Sequence, residues 1–187
     1  ERFRFEQPQH AQSLWLSVDL PEAIAMRERF IQPDERHLHV ACSALDSAWF
    51  DAVPPGRAVF IAAQGLFMYF TEDEMKTLTQ AMAARFPGAI LMFDYLNVAL
   101  SRRTMSARGW MKTPHYRTPP MPWGLDRDQV QPTFSRWLGR PVQVHNVTFL
   151  FPRGFFRWFM PFCEQRMPAL ANKAPGLCWL RLPEDKQ

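Results

Sequence analysis

Short apolar runs and helical patterns alternate along the first half of this chain. The runs cover residues 14–18, 37–42, 58–63 and 89–95, and their length and composition indicate β-strands. A helical pattern begins at Pro21, and the segment from Thr71 to Glu74 has the sequence of a helix capping box. Strands that alternate with helices imply right-handed βαβ crossovers. We therefore predict an α/β fold with a doubly wound, mostly parallel sheet of the Rossmann-like type.

The rest of the chain is less regular. The third run, at 58–63, is almost wholly apolar, which predicts a central strand covered on both faces. After Asn97 the pattern turns polar and proline-rich, and residues 126–138 predict the next helix. Residues 142–151 and 177–182 predict two terminal antiparallel strands that flank an aromatic helical segment at 155–170. We expect one domain over residues 1–187, with residues 97–141 as an insertion that covers a substrate.

The composition is that of an ordinary globular protein, and it excludes several classes of function. Among the 187 residues, 47% are apolar and 21% are charged, and the formal net charge is +4. This charge favours an anionic ligand but is too small and too scattered for nucleic-acid binding. Three widely separated cysteines fit neither a disulfide framework nor a zinc motif, which favours a cytoplasmic location. We expect no membrane association, because no apolar stretch is long enough to span a bilayer.

One acidic residue, Asp19, directly follows the first strand. In open parallel sheets ligands bind outside the carboxyl ends of the strands, and an acid after the second strand accepts hydrogen bonds from a ribose. Such an acid normally follows a glycine-rich turn, yet the first 55 residues contain no glycine. We therefore expect the strand before Asp19 to be the second of the complete fold, and a further strand with its glycine-rich turn to lie upstream of residue 1. We also expect the chain as given to bind a nucleotide cofactor poorly. An NAD(P)-dependent oxidoreductase remains an alternative, since the same acid suits a nicotinamide cofactor.

Four motifs, in this order, resemble those of the leucine carboxyl methyltransferase family, and in particular its bacterial branch of tetracenomycin-type polyketide O-methyltransferases. They are SVDLPE at 17–22, ACSALD at 41–46, FIAAQGLFMY at 60–69 and LCW at 177–179. The resemblance is firmest over residues 14–95 and thin between residues 100 and 141. It implies a class I S-adenosylmethionine-dependent methyltransferase fold and a small-molecule substrate.

The resemblance also implies which residues bind the cofactor S-adenosylmethionine and its product S-adenosylhomocysteine. Asp19, with Leu20 beside it, would accept hydrogen bonds from the ribose hydroxyls. Ser43 and Ala44 would lie beside the adenine, and Gln64 and Gly65 near the methionine end. Gln64 departs from the family, which more often has Glu there, and the amide lacks the charge that would attract a cation. A catalytically degenerate binding module is therefore a second alternative.

The acceptor for the methyl group would be a carboxylate or a phenol. A carboxylate is already ionised at neutral pH, so its methylation needs no general base, and we assign no catalytic residue. Donors that would hold it are Tyr69, Tyr95, Arg102 and Arg103, with His115, Tyr116 and Arg117 as further candidates in the insertion. A phenol would need a base, for which His115 is the best placed.

Two further patterns favour structural roles. His37 and His39 alternate onto one strand face near Cys42, but without further ligands this favours hydrogen bonding over a metal site. The segment 149–163 interleaves aromatic residues with two arginines, and we expect it in the core or a substrate pocket. Self-association as a homodimer is left open.

Overall fold

The computed structural model describes residues 13–147, 154, 162 and 166–184. The chain divides into two compact units, an N-terminal unit of residues Glu1–Arg57 and a C-terminal unit of residues Ala58–Gln187. Each unit is described by itself. The single domain expected from the sequence stays a prediction. In the described part of the chain, no helix has the length and apolar character needed to cross a membrane.

The N-terminal unit is built on two parallel strands joined by a helix. Strand β1 is Trp15–Asp19, helix α1 is Pro21–Glu28 and strand β2 is His37–Ala41. The strands pair in register from Trp15 opposite His37 to Asp19 opposite Ala41. A 3-10 helix, Ser47–Ala52, follows, and the Asp46 side chain caps it by accepting a hydrogen bond from the Ala48 amide at 2.9 Å. This strand, helix, strand order is the predicted one.

The C-terminal unit contains a four-stranded mixed sheet. Its described elements are β3 (Phe60–Ala63), a 3-10 helix (Phe67–Tyr69), α2 (Glu72–Arg85), β4 (Ile90–Tyr95), α3 (Val98–Met105), β5 (Met111–Thr113), β6 (Tyr116–Arg117), α4 (Arg127–Leu138), β7 (Val144–Val147), α5 (Pro168–Asn172) and β8 (Gly176–Arg181). The strand order is β3-β4-β8-β7, in which β3 and β4 are parallel and β8 is antiparallel to both its neighbours. The α/β fold and the antiparallel terminal strands are confirmed.

Strand β3 differs from its prediction. It lies at the edge of the sheet, and among the described residues no strand pairs with its other side. Phe60 is 59% exposed, and Ala62 is exposed as well. The prediction of a central strand covered on both faces is therefore wrong for the described residues. An apolar run specifies a strand but carries no information about what pairs with it.

Helix α2 begins where the sequence places it. Thr71 Oγ1 accepts a hydrogen bond from the Glu74 amide at 3.3 Å, and Glu74 Oε2 accepts one from the Thr71 amide at 2.7 Å. These two bonds satisfy amides that the first turn of a helix leaves unpaired. The bonds from Thr71 also lower the pKa of the Glu74 carboxyl. The predicted capping box is confirmed.

Helix α3 lies in the region that the sequence indicates as irregular. Its N-cap is Asn97, whose Oδ1 accepts a hydrogen bond from the Leu100 amide at 2.7 Å. Its buried side chains are Ser101 and Thr104, which are polar, so the usual apolar periodicity is missing. Ser101 Oγ donates to the Met121 carbonyl at 2.8 Å, and Thr104 Oγ1 accepts from the Met121 amide at 3.0 Å. Hydrogen bonds thus join this helix to the returning chain.

An aromatic cluster forms the core of the C-terminal unit. Phe93 of β4 is fully buried, and its ring stacks on Phe134 of α4 with centroids 5.0 Å apart. Phe67 lies 5.3 Å from Phe93, and Trp137 lies 5.1 Å from Phe134. Large aromatic rings in offset contact contribute both buried area and direct ring-ring attraction. This cluster joins the sheet to the helix that covers it.

The end of the chain is described only in part. Strand β7 begins within the predicted run 142–151, whose residues 148–151 lie outside the described residues. The predicted aromatic helix at 155–170 also lies mostly outside them, and its described end includes the start of α5. Helix α4 matches the prediction for residues 126–138, with Asp126 and Gln129 in a capping box.

Tyr95 ends strand β4 on its buried face. Leu91, Phe93 and Tyr95 alternate along β4 and are all less than 2% exposed, as a strand of period two requires. The Tyr95 hydroxyl lies 3.4 Å from Asn146 Oδ1, and a Cβ on Gly176 would overlap the Tyr95 ring. Burial, with a smaller contribution from Cys178, raises the pKa of Tyr95 to about 12.

This buried phenol predicts alkaline destabilisation. The unfolded chain releases the phenol proton near the ordinary pKa of 10.0, whereas the folded chain holds it until about 12. The protonated phenol therefore stabilises the fold fully below about pH 10, and this stabilisation is lost as the pH rises towards 12. In Tyr95→Phe the loss of unfolding free energy between about pH 8 and 11 should be smaller by on the order of 1 kcal/mol. Urea unfolding at both pH values measures it, and equal losses in the two proteins would contradict it.

Candidate functional site

The candidate ribose ligand, Asp19, lies at the carboxyl end of β1 and is exposed. Its Oδ1 accepts a hydrogen bond from the Leu20 amide at 2.8 Å. Its other oxygen has no hydrogen-bond partner among the described residues. A carboxylate held by its own backbone, with an acceptor oxygen facing outward, suits a ligand that offers hydroxyl groups. Leu20, the N-cap of α1, is 54% exposed beside it.

A tight turn follows the neighbouring strand β2. Ser43 Oγ accepts a hydrogen bond from the Leu45 amide at 3.2 Å, and the Ser43 carbonyl accepts one from the Asp46 amide at 3.0 Å. The Ala44 carbonyl accepts a hydrogen bond from Trp49 Nε1 at 3.1 Å. Because β1 and β2 are parallel, this turn and Asp19 lie at the same edge of their sheet. The N-terminal unit therefore offers an acid and an ordered turn at one edge.

In the C-terminal unit, Gln64 and Gly65 form the turn that follows β3. Both are exposed, and Gly65 has a φ of +61°, which favours glycine. The space where a Gly65 Cβ would lie is open, with no atom within 4 Å. The Gly65 amide donates a hydrogen bond to Asp94 Oδ1 at 2.7 Å. The end of β4 thus fixes the turn after β3, and a ligand can approach this backbone closely.

Asp94 is a residue that the sequence interpretation did not select. The hydrogen bond from the Gly65 amide to Asp94 joins positions 29 residues apart, so no local sequence pattern predicts it. An acid at the carboxyl end of a predicted strand is the signal that would have found it, since parallel strands end at the same edge. We count Asp94 among the residues that shape the candidate site, as the one that positions Gly65.

Removing the Asp94 carboxylate should release this turn. Asp94→Ala leaves the Gly65 amide without its acceptor, and we expect a loss of about 1 kcal/mol in local stability, or roughly fivefold faster exchange of that amide. Asp94→Asn retains an acceptor oxygen and should keep most of the protection. Hydrogen exchange followed by NMR measures both variants. Unchanged Gly65 exchange in Asp94→Ala would show that the bond does not hold the turn.

The predicted substrate ligands fall in different environments. Tyr69 is 42% exposed at the end of a 3-10 helix, and Arg102 and Arg103 are exposed on α3. Tyr95, by contrast, is 1% exposed and its hydroxyl faces Asn146. The structure therefore places Tyr95 in the core, because it alternates with Leu91 and Phe93 on the inner face of β4. His115 is exposed in the turn of the short β5–β6 hairpin.

The histidines of β2 form hydrogen bonds. His37 is fully buried, with its Nε2 3.0 Å from Ser17 Oγ of β1. His39 Nδ1 lies 3.2 Å from Glu28 Oε1. Among the residues that the structure describes, no group of three or more His, Cys, Asp and Glu side chains could hold a metal ion.

The fold of the described residues, with an acid and ordered turns at the carboxyl ends of parallel strands, matches that of class I S-adenosylmethionine-dependent methyltransferases. A putative methyltransferase from Thermobifida fusca aligns over 94% of this chain and 65% of its own, with a TM-score of 0.61 and 12% identity. PKMT2 from Rickettsia typhi, solved in complex with AdoHcy, aligns over 94% of this chain and 45% of its own, with a TM-score of 0.57 and 12% identity. LepI, solved in complex with SAM, aligns over 98% and 39%, with a TM-score of 0.54 and 7% identity. Identities this low establish the fold alone.

The chain is also similar in sequence to one O-methyltransferase. The chain is distantly homologous to the tetracenomycin polyketide synthesis O-methyltransferase TcmP of Streptomyces glaucescens, with 27% identity over 92 residues. The match covers 49% of this chain and 33% of the relative, so the aligned part spans about a third of the relative's length. No protein-family model matches the chain.

Proposed function

We propose that this chain is part of an S-adenosylmethionine-dependent O-methyltransferase that acts on a carboxylate, or a phenol, of a small polyketide-like molecule. The observation that carries the proposal is Asp19, an exposed acid at the carboxyl end of β1. Its support comes from the class I methyltransferase fold and from the distant homology to an O-methyltransferase. The cofactor supplies an electrophilic methyl group on a sulfonium ion.

We propose one contact with the cofactor for each of the strand-end residues. Asp19 would accept hydrogen bonds from the ribose hydroxyls, next to Leu20, and the turn at Ser43 and Ala44 would contact the adenine. The amide of Gln64 and the open backbone at Gly65 would receive the methionine end. Gln64 hydrogen-bonds without contributing charge, so attraction to the sulfonium would be weaker than with a carboxylate.

For methyl transfer to a carboxylate, the side chains need only orient the two reactants and exclude water. A carboxylate acceptor is ionised at neutral pH, so it attacks without a base, and alignment with the methyl group provides most of the rate enhancement. The exposed donors Tyr69, Arg102 and Arg103 would fix that carboxylate. Tyr95 completes the set of proposed donors, and it would reach a substrate when the core opens locally.

A panel of acceptors tests this proposal. The full-length protein is incubated with methyl-labelled S-adenosylmethionine and matched pairs of aryl carboxylates and phenols, and products are identified by mass spectrometry. For a carboxylate we expect methyl esters, at a rate nearly independent of pH between about 6 and 8, because the carboxyl pKa lies near 4. A phenol should react faster as pH rises, and His115→Ala should slow that reaction alone.

The panel also separates the alternatives. Cofactor binding without methylation of either acceptor class would favour the degenerate binding module that Gln64 suggests. Methylation at a ring carbon, with no oxygen product, would overturn the O-methyltransferase assignment.

A further inference from the structure

The positive charge of this chain is concentrated in one segment. Residues 95–125 contain five Lys and Arg and no Asp or Glu, whereas the rest of the chain has the other 17 cationic residues against all 18 acidic ones. The net charge of +4 therefore arises within this segment. A local excess of one sign generates a field that attracts ligands of the other sign.

Part of this charge lies on the β5–β6 hairpin. We define the hairpin surface as Arg108, Met111, His115, Tyr116 and Arg117, all of which are exposed. Arg108 and Arg117 form no ion pair with any described residue. Their charge is therefore not neutralised by the described part of the chain.

The structure holds Arg117 in place. Its Nη2 donates a hydrogen bond to the Ala107 carbonyl at 3.1 Å, and its guanidinium lies against Gly109, where a Cβ would overlap it. Gly109 has a φ of +64°, so the turn itself requires glycine. A guanidinium that is already oriented loses less side-chain entropy when it binds a carboxylate.

Two large apolar side chains are also exposed on the hairpin, and one of them, Met111, lies opposite Arg117 in the strand register. Met111 is 48% exposed and Tyr116 is 51% exposed. Protein interfaces are enriched in Arg, Met and Tyr and depleted in Asp and Glu, and the hairpin surface has this composition. A lipid-binding patch typically has about four to eight clustered Lys or Arg, whereas residues 108–117 contain three.

The hairpin is anchored at its base. The Thr118 amide and hydroxyl both donate to the Trp110 carbonyl, at 2.9 and 3.1 Å, and Thr118 is buried. The surface is therefore presented on ordered backbone, which suits recognition of a partner without large rearrangement.

We propose that the hairpin surface docks an acidic protein surface that also presents apolar side chains. Carboxylates of the partner pair with Arg108 and Arg117, and its apolar side chains cover Met111 and Tyr116. Charge complementarity sets the orientation and the rate of association, and the aromatic contact provides the buried centre. This inference does not depend on the methyltransferase activity.

Fluorescence anisotropy with defined probes tests the proposal on the full-length protein. The probes are a labelled peptide of alternating Glu and Leu and the same peptide with Ser in place of Leu. Arg108→Glu with Arg117→Gln should weaken binding of the Leu peptide by about tenfold. The matched control, Arg29→Glu with Arg36→Gln, makes the same charge change at exposed arginines of the N-terminal unit and should cost less than about twofold.

Further variants distinguish weaker binding from misfolding and test the contribution of the two apolar side chains. Arg108→Glu alone leaves the Arg117 bond to Ala107 intact and should give a threefold or so weaker complex. Met111→Ala with Tyr116→Ala should abolish the preference for the Leu peptide over the Ser peptide. Circular dichroism confirms that each variant is folded.

Four results would overturn the proposal. They are failure of the unmodified protein to bind the Leu peptide, equal losses in the hairpin and control variants, displacement of the peptide by benzoate, and tighter hairpin-dependent binding to heparin or to phosphatidylglycerol vesicles. Displacement by benzoate would assign the surface to a small carboxylate. The last result would assign it to nucleic acid or to membranes.

Discussion

Replacing Asp19 by alanine is expected to weaken S-adenosylmethionine binding by about ten- to a hundredfold, the effect of losing hydrogen bonds to a charged acceptor. The carboxylate is exposed at the end of β1, and one of its oxygens is occupied by the Leu20 amide at 2.8 Å. The lost affinity therefore reflects the remaining acceptor capacity, which the proposal assigns to the ribose.

Two further variants give this experiment its controls. Asp19→Asn keeps the size and one acceptor oxygen, and should fall between the unmodified protein and Asp19→Ala. Glu35→Ala removes an exposed acid of the same unit and should leave the affinity unchanged. Calorimetric titration of the full-length protein measures all three. An Asp19→Ala variant that binds as well as the unmodified protein would remove Asp19 from the site.

Phe93→Ala should be the most destabilising single substitution that we propose, at about 3–5 kcal/mol of unfolding free energy. The Phe93 ring is fully buried between Phe67 and Phe134, at 5.3 and 5.0 Å between centroids. Truncation removes these contacts and leaves a cavity that rigid neighbours fill poorly.

Phe60→Ala is the matched control for this prediction. It removes the same ring from β3, where Phe60 is 59% exposed, and should cost less than about 1 kcal/mol. Urea unfolding followed by tryptophan fluorescence measures both, because the Trp123 ring lies 6.2 Å from Phe93. Similar losses in the two variants would contradict the buried position of Phe93.

Local sequence signals predicted the elements of this fold well. The Thr71 to Glu74 capping box fixes the start of α2 through contacts three residues apart, and strand β4 follows from an apolar run bounded by Gly88 and Asn97. Such signals depend on neighbours in the chain, so they are visible before folding.

Non-local contacts are what the sequence did not reveal. Helix α3 buries Ser101 and Thr104 because the Met121 backbone supplies their partners, and that pairing has no local signature. The edge position of β3 likewise depends on which strands pair, not on the apolar run itself.

In the candidate site too, local signals were predictable and non-local contacts were not. The position of Asp19 after a strand predicts a ribose ligand, and the family resemblance implies roles for Gln64 and Gly65. The bond from the Gly65 amide to Asp94 spans 29 residues and is not predicted by either. The position of Tyr95 at the end of a strand predicts a substrate ligand. Its alternation with Leu91 and Phe93 instead predicts a buried side chain, and Tyr95 is 1% exposed in the structure.

The central claim is that this protein binds S-adenosylmethionine, and direct titration with each candidate cofactor tests it. The full-length protein is titrated in separate calorimetric experiments with S-adenosylmethionine, S-adenosylhomocysteine, NAD and NADP. We predict saturable binding of the first two ligands, weakened by Asp19→Ala, and no measurable heat with either nicotinamide cofactor. Binding of NAD or NADP that depends on Asp19, without binding of S-adenosylmethionine, would contradict the account and assign the protein to the oxidoreductases.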